Sequence, residues 1–155
     1  MQKVITNKFV ILLFFLLLIT SLFIAITTTM QLTEKKYRII KDPFELLTVT
    51  KQNTINNLII DLREREDFES SHISQSINIP YVDGSELNQY LISKNSKNKN
   101  LYLLCYSGNR AAKTFNYLSE LEYRKLFYIA FGYEEYVNCL GDEFVPAVGP
   151  CECLN

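Results

Sequence analysis

The distribution of apolar residues divides the chain into a short N-terminal part and a longer remainder. Residues 9–26, with the sequence FVILLFFLLLITSLFIAI, contain no charged residue, and only Thr20 and Ser21 are polar. A helix of this length, at about 1.5 Å per residue, is close to the thickness of the hydrocarbon layer of a membrane. We therefore expect a transmembrane helix over about 9–26, within an N-terminal signal-anchor segment 1–30.

The processing and orientation of this segment stay open. A signal peptide has a shorter apolar core and a small-x-small cleavage site, whereas the exit sequence AITTTMQ offers only Thr-x-Thr. An uncleaved single-pass anchor is therefore favoured, and export after cleavage is the alternative. Lysines 3 and 8 precede the span, and Lys35, Lys36, Arg38 and Lys41 follow it. The positive-inside rule favours a cytoplasmic C-terminal domain, but a short basic tail before a long apolar core is typical of an exported signal-anchor protein.

After residue 36, short apolar runs alternate with amphipathic stretches. The runs predict strands over 37–40, 57–62, 76–80, 101–105 and 125–131, and the stretches between them predict helices from Asp42, over 85–95, over 110–121 and from Gly132. Continuous apolar runs such as LYLLC are typical of strands that are covered on both faces. This alternation predicts an α/β fold with three layers, α/β/α, and a mainly parallel central sheet, preceded by one transmembrane helix. The expected organisation is a connector 31–36, a domain 37–145 and a C-terminal tail 146–155.

Composition narrows the possible partners. The net charge is −1, so no basic surface is predicted and nucleic acid is not expected as a partner. The chain has one histidine, no Cys-x-x-Cys pair, and four cysteines at 105, 139, 151 and 153. This pattern does not favour a structural zinc site, and no metal or cofactor is expected. A local disulfide or two unused thiols are expected at Cys151 and Cys153, and the roles of these two residues and of Cys139 stay open.

The sequence CYSGNR, residues 105–110, lies between the predicted strand 101–105 and the predicted helix 110–121. Ligands of parallel sheets bind beyond the carboxyl ends of the strands. The N–H groups of a tight loop and the helix N-terminus attract anions, Gly108 permits a tight turn, and Arg110 adds a permanent cation. Together these features favour a reactive thiolate at Cys105, whereas the alternative is a core cysteine followed by a turn. The only histidine, His72, lies just before a predicted short strand and is expected to have a hydrogen-bonded structural role, so no Cys–His pair is predicted.

Three stretches resemble the rhodanese-like (sulfurtransferase) homology domain over roughly residues 37–145. LIIDLREREDFESSHISQSINIP (58–80) is similar to the first family signature, CYSGNRA (105–111) to the active-site loop Cys-x-x-Gly-x-Arg, and AFGYEEY (130–136) to the closing Gly-Gly-x-x-x-Trp element. The residues of the first signature that match are Asp61, Arg63, His72, Ile73, Asn78 and Pro80. The chain departs from the family where Ser71 replaces a glycine, Phe131 replaces the first glycine of the pair, and Tyr136 stands for the tryptophan.

The resemblance implies a sulfurtransferase that uses a persulfide. Cys105 would take a sulfur atom from a small sulfur-containing anion such as thiosulfate and pass it to cyanide or to a thiol acceptor, either a small molecule or a protein. The implied substrate-binding residues are Tyr106, Ser107, Gly108, Asn109 and Arg110. The implied roles of Asp61, Arg63 and His72 are structural or at the rim of the site, with a buried Asp61–Arg63 pair preferred.

Two other functions stay open. Cysteine-dependent phosphatases and arsenate reductases also combine a cysteine, a loop of N–H groups and an arginine, but the phosphatase spacing is Cys-x5-Arg, one residue longer than the loop here. The shorter loop favours a sulfur atom over a tetrahedral phosphate. A non-enzymatic, membrane-tethered module for protein binding or sulfur relay is the other alternative, and the presence of Cys105, Gly108 and Arg110 disfavours it.

Overall fold

The computed structural model describes residues 2–33, 35–52 and 55–150. The chain forms two compact units, Met1–Lys35 and Lys36–Asn155, and each is considered by itself. Cys151 and Cys153 lie outside the described residues, so the expectation of a disulfide or unused thiols there stays a prediction.

The first unit is one helix, α1, over Gln2–Thr33. Its stretch Asn7–Met30 has a mean hydropathy of 3.1 and is long and apolar enough to cross a membrane. The helix extends beyond the predicted span 9–26 and into the predicted connector 31–36. In the part of the helix after residue 26, threonine hydroxyls donate to carbonyls of the preceding turn, as Thr29 Oγ1 does to Ala25 O at 2.9 Å.

The second unit alternates strands and helices as the sequence predicts, with shifts of one or two residues at most ends. The strands are β1 (Lys36–Ile40), β2 (Asn57–Asp61), β3 (Ile77–Asn78), β4 (Asn100–Cys105) and β5 (Lys125–Gly132). The helices are α2 (Pro43–Gln52), α3 (Arg65–Ser70), α4 (Ser85–Ser93), α5 (Asn109–Glu120) and α6 (Tyr133–Leu140), followed by a 3₁₀ turn at Gly141–Glu143.

The five strands form one sheet in the order β1-β5-β4-β2-β3, and every neighbouring pair is parallel. β4 therefore lies in the middle, between β2 and β5. The loops that follow β2 and β4 leave the sheet side by side at its carboxyl edge, which is where ligands of such sheets bind.

Apolar side chains cover both faces of the sheet. On one face, strand residues pack with Leu46 and Leu47 of α2 and with Tyr133, Tyr136 and Leu140 of α6. On the other face they pack with Leu87 and Leu91 of α4 and with Ala111 and Leu118 of α5. The side chains of β4 alternate between the two faces, with Leu101, Leu103 and Cys105 on the α4/α5 side. The predicted α/β fold with three layers and a parallel sheet is confirmed.

The end of the chain that the structure describes is bonded to the body of the domain. Ala147 and His72 exchange two backbone hydrogen bonds of 2.9 Å, and the N–H of Gly149 donates to Glu69 O at 2.7 Å. Residues 147–149, part of the predicted tail 146–155, therefore belong to the packed structure beside α3.

Candidate active site

Cys105 ends the central strand β4 and is completely buried. It pairs in register with Gly132 at the end of β5, after an irregularity in the ladder between Leu103 and Cys105. Its side chain joins the apolar cluster under α4 and α5. Features of both interpretations of the sequence are therefore present. The side chain of Cys105 is part of the core, and the residue is also followed directly by the loop that leads to α5.

The loop after Cys105 is held against β5 by two glycines. Gly108 has φ +79° and is the N-cap of α5, and a Cβ at this position would lie 2.6 Å from Ala130 O. A Cβ on Gly132 would lie 1.6 Å from Tyr106 O. The loop backbone can approach the sheet this closely only because both positions lack a side chain. The contact at Gly132 was not predicted, although the glycine at the end of an apolar strand run could have indicated a close backbone approach.

The loop after Cys105 leads directly into the N-terminus of α5. Gly108 caps α5 without any side-chain hydrogen bond, and the first helical bond runs from Ala112 N to Gly108 O at 2.8 Å. The N–H groups of the first turn of α5 are therefore the anion-attracting feature of this helix. Ser107 and Asn109 are exposed, and Tyr106 is 40% exposed.

Arg110 lies in the first turn of α5 and points towards the loop that follows β2. Its Nη1 donates to Glu64 Oε1 at 3.0 Å and lies 3.4 Å from Leu62 O. Its guanidinium carbon is 5.4 Å from the centroid of the Tyr106 ring, which is within the range of a cation–π contact. The structure therefore pairs the predicted anion-binding cation with a carboxylate. Glu64 was not predicted as a site residue, because nothing in the sequence shows which strands are neighbours.

Asp61 and Arg63 form a buried ion pair at the end of β2. Arg63 Nε lies 3.1 Å from Asp61 Oδ1 and Arg63 Nη2 lies 2.7 Å from Asp61 Oδ2. Arg63 Nη2 also donates to Ser71 O at 2.7 Å, and the guanidinium lies 3.7 Å from the centroid of the Tyr133 ring. With these partners, Arg63 stabilises the end of β2. Arg110, and not Arg63, is the arginine next to the loop that follows Cys105.

Ser71, which stands where the family has glycine, has a specific partner. Its Oγ lies 2.6 Å from the hydroxyl of Tyr133. Burial raises the pKa of Tyr133, so the folded state favours the protonated phenol. Since the Tyr133 ring also covers Arg63, Ser71 is tied to the same buried cluster.

The other two departures from the family contact each other. The rings of Phe131 and Tyr136 are parallel within 3°, with centroids 6.2 Å apart, and both are buried. Phe131 thus occupies the core under α6 rather than the active-site loop.

His72 has a structural environment. Its Nδ1 lies 2.8 Å from Phe68 O, its ring stacks on Phe68 at 3.8 Å, and its backbone pairs with Ala147. These contacts direct the ring towards α3. Within residues 2–33, 35–52 and 55–150, no three His, Cys, Asp or Glu side chains are grouped as a metal site requires. Cys139 is a free and exposed thiol on α6.

Comparisons with known proteins agree with this architecture. The family model described as "Rhodanese-like domain" matches residues 46–139. A probable molybdopterin-synthase adenylyltransferase from Porphyra purpurea is 26% identical over 102 residues, which are 66% of this chain and 26% of that protein. The chain thus spans about a quarter of the length of this curated relative.

Two solved structures share the fold. A rhodanese-related protein from Thermoplasma volcanium is similar with a TM-score of 0.56 and 24% identity, over 72% of this chain and 99% of that chain. An As-Sb reductase from Leishmania major is similar with a TM-score of 0.54 and 19% identity, over 69% of this chain and 81% of that one. At these identities the likenesses show the fold alone. Because the family model covers more than half of the sequence, the chain belongs to the rhodanese-like domain family, which includes sulfurtransferases.

Proposed function

We propose that the protein is a sulfurtransferase that carries sulfane sulfur as a persulfide on Cys105. The observation that carries the proposal is the position of this cysteine. It ends the central parallel strand and is followed by a loop that Gly108 turns into the N-terminus of α5. A loop and helix N-terminus of this kind supply N–H groups and a helix dipole that favour a nucleophilic thiolate, which supports the proposal.

The first half of the reaction loads the sulfur. With thiosulfate as donor, the Cys105 thiolate attacks the outer sulfur, the bond between the two thiosulfate sulfurs breaks, and sulfite leaves with the electron pair. The enzyme is left as Cys105–S–S⁻. The total charge is unchanged, and the outer sulfur carries a negative charge that the N–H groups of the loop and Arg110 stabilise.

The second half returns the enzyme to its starting state. Cyanide attacks the outer sulfur and leaves as thiocyanate, or an acceptor thiolate attacks the protonated persulfide Cys105–S–SH and leaves as R–S–SH. In both cases the bond between the two sulfurs breaks, and Cys105 leaves as a thiolate. No metal or cofactor takes part in these steps.

Because Cys105 is completely buried, a donor reaches it only when the loop moves. Tyr106 and Ser107 are exposed next to Cys105 in sequence, so we expect displacement of these two residues to admit the donor. Motions of this kind are common in loops that gate enzyme sites.

The test is an intact mass measurement on the full chain in a nonionic detergent. After incubation with thiosulfate, or with a small-molecule persulfide, the protein should gain the mass of one sulfur atom and lose it on addition of cyanide. Cys105→Ser should not gain this mass, whereas the matched variant Cys139→Ser, which removes the exposed thiol of α6, should still gain it. If wild type gains no sulfur from any donor, the proposal is wrong.

Phosphatase or arsenate reductase activity is the lesser alternative. The four residues between Cys105 and Arg110 enclose a smaller pocket than the five of a phosphatase loop, and Arg110 is paired with Glu64. Both features disfavour a tetrahedral oxyanion. Turnover of an aryl phosphate that depends on Cys105 would reverse this ranking.

We also propose that α1 tethers the domain to a membrane through residues 9–26, with single-pass topology. The supporting observation is the length and hydropathy of Asn7–Met30. The expected partners are a small sulfur-containing anion, a thiol acceptor and the lipid bilayer, without nucleic acid. A tethered module without catalysis would give a phenotype that depends on residues 1–30 but not on Cys105.

A further inference from the structure

The carboxylate that pairs with Arg110 is held in place by the backbone on both sides of it. Glu64 O accepts the first helical hydrogen bond of α3 from Phe68 N at 3.1 Å. On the other side, Arg63 is fixed by its backbone hydrogen bond to Asp61 Oδ1 at 2.9 Å and by the buried ion pair. The backbone of Glu64 is therefore fixed on both sides, and its side chain pairs with Arg110 without the ordering of a flexible loop.

The pair between Glu64 and Arg110 lies at the boundary with solvent. The side chain of Glu64 is 51% exposed and that of Arg110 is 35% exposed. An ion pair of this exposure contributes little free energy, so an incoming group can displace it. Any anion that uses Arg110 must nevertheless compete with a carboxylate that is already bound there.

The segment that begins with Glu64 is acidic. Residues 64–70, EREDFES, carry four carboxylates and one arginine. Glu66 is exposed, and Asp67 and Glu69 are half-buried. Charges act over about 10 Å at 0.1 M salt, and Glu66, the nearest of these carboxylates in the chain, lies two residues from Glu64.

Donors of sulfane sulfur differ in charge. Thiosulfate arrives as a dianion and releases a dianion, sulfite. A persulfide R–S–SH is neutral at the reacting atoms. When the Cys105 thiolate attacks its outer sulfur, the S–S bond of the donor breaks and R–S⁻ leaves with the electron pair, while the proton stays on the transferred sulfur in Cys105–S–SH.

We propose that Glu64 is a specificity-determining residue, which disfavours dianionic donors and directs the site towards persulfides on carriers without strong negative charge. The preference for persulfide donors rests on the proposed sulfur transfer. The discrimination between anionic and neutral reagents at Cys105 can be measured without it. Glu64 acts by occupying Arg110 and by repelling a second anion at the same place.

The experiment uses two alkylating reagents of nearly equal size, iodoacetate and iodoacetamide, on the full chain in a nonionic detergent. Modification of Cys105 is followed by mass mapping of its peptide, so that Cys139 does not interfere. The ratio of the two rates removes the contribution of loop opening, because both reagents need it. Glu64→Gln is compared with wild type and with Glu66→Gln, which removes an equal charge two residues away that makes no ion pair with Arg110 in the described part of the chain.

Glu64→Gln should raise the rate of iodoacetate relative to iodoacetamide by about two- to fivefold, the factor that corresponds to a partly exposed ion pair. Glu66→Gln should change the ratio by less than half of that factor, and 0.5 M salt should reduce the difference between wild type and Glu64→Gln. In the sulfur-loading assay, Glu64→Gln should increase the loading rate of Cys105 with thiosulfate by a larger factor than the rate with cysteamine persulfide.

An equal ratio in wild type and Glu64→Gln would overturn the inference, whatever the sulfur-loading assay shows. It is also overturned if Cys105 reacts with neither reagent while Cys139 does, because there is then no entrance for Glu64 to control. If the ratio shifts but no donor loads sulfur, the discrimination of anions by Glu64 stands and the proposed sulfur transfer fails.

Discussion

Gly132 lies directly against the carbonyl of Tyr106, so closely that a Cβ on Gly132 would be 1.6 Å from that oxygen. The contact joins the end of β5 to the residue after Cys105, and it sets the distance between the loop and the sheet. Because the neighbour is backbone, no rotamer change can relieve the overlap, and the loop itself must move if a side chain is added.

Gly132→Ala should therefore lower the free energy of unfolding by about 1–3 kcal/mol or more and should accelerate alkylation of Cys105 by iodoacetamide. Unfolding by urea can be followed by near-UV circular dichroism of the tyrosines, since the chain has no tryptophan. Ser107→Ala, an exposed position of the same loop, should change the unfolding free energy by less than about 0.5 kcal/mol. If Gly132→Ala changes neither the free energy of unfolding nor the alkylation rate of Cys105, the close contact between Gly132 and the Tyr106 carbonyl is contradicted.

Asp61→Asn should destabilise the domain by about 3–5 kcal/mol, because it leaves the buried Arg63 guanidinium without its counter-charge. The matched control is Glu45→Gln, which breaks the exposed pair with Arg38 (3.0 Å) and should cost less than about 1 kcal/mol. Equal losses of unfolding free energy in the two variants would show that the Asp61–Arg63 pair does not brace the strand end.

Burial raises the pKa of Tyr136 to about 12. The folded state therefore holds this phenolic proton more tightly than the unfolded state, in which tyrosine titrates near pH 10. The corresponding stability is fully present below pH 10 and is lost as the pH rises from 10 towards 12, with a slope of up to about 1.4 kcal/mol per pH unit. Tyr136→Phe should reduce this fall in the free energy of unfolding, measured by urea titrations at several pH values. An identical fall in both proteins would contradict the assignment.

Arg110→Ala should slow sulfur loading of Cys105 roughly 100-fold, the typical effect of removing one group that stabilises a developing anion. Arg110→Lys keeps the charge but loses the planar fork of donors, so it should recover only part of the rate. Intact mass against time measures both. If Arg110→Ala loads sulfur as fast as wild type, the negative charge on the outer sulfur is stabilised by the N–H groups of the loop alone.

Leu17→Lys places a charge near the middle of the apolar stretch of α1 and should weaken membrane insertion by about 2.5–3.5 kcal/mol. The expected result is loss of the protein from carbonate-washed membranes, whereas Leu17→Val should remain bound. A wild-type protein found only in the soluble fraction at its full mass would contradict the anchor. Protease protection of the wild-type chain then gives the side of the membrane on which the domain lies.

The succession of strands and helices was predictable because each element has its own hydrophobic period. The run LYLLC predicted β4, and the spacing of apolar residues over 110–121 predicted α5, within one residue at each end. β3 is shorter than its predicted range 76–80, with only Ile77 and Asn78 in the ladder. The length of β3 is set by how many of its residues pair with β2, and the local sequence pattern does not determine this number.

The loop around Cys105 could also be located from sequence, since a cysteine, a glycine and an arginine follow each other within six residues. The face of the sheet on which Cys105 is buried could not, because it depends on the helices that cover Leu101, Leu103 and Cys105. The contact of Gly132 with Tyr106 depends in the same way on the pairing of β4 with β5.

The sequence by itself determined the membrane-type segment, the α/β class and the candidate residues for the proposed chemistry, because these follow from local hydrophobicity, local periodicity and short motifs. Only the tertiary structure decided what surrounds that chemistry. Glu64 meets Arg110 across 46 residues of chain because β4 lies next to β2 in the sheet. The order of strands is set by the packing of the whole domain, which no local pattern encodes.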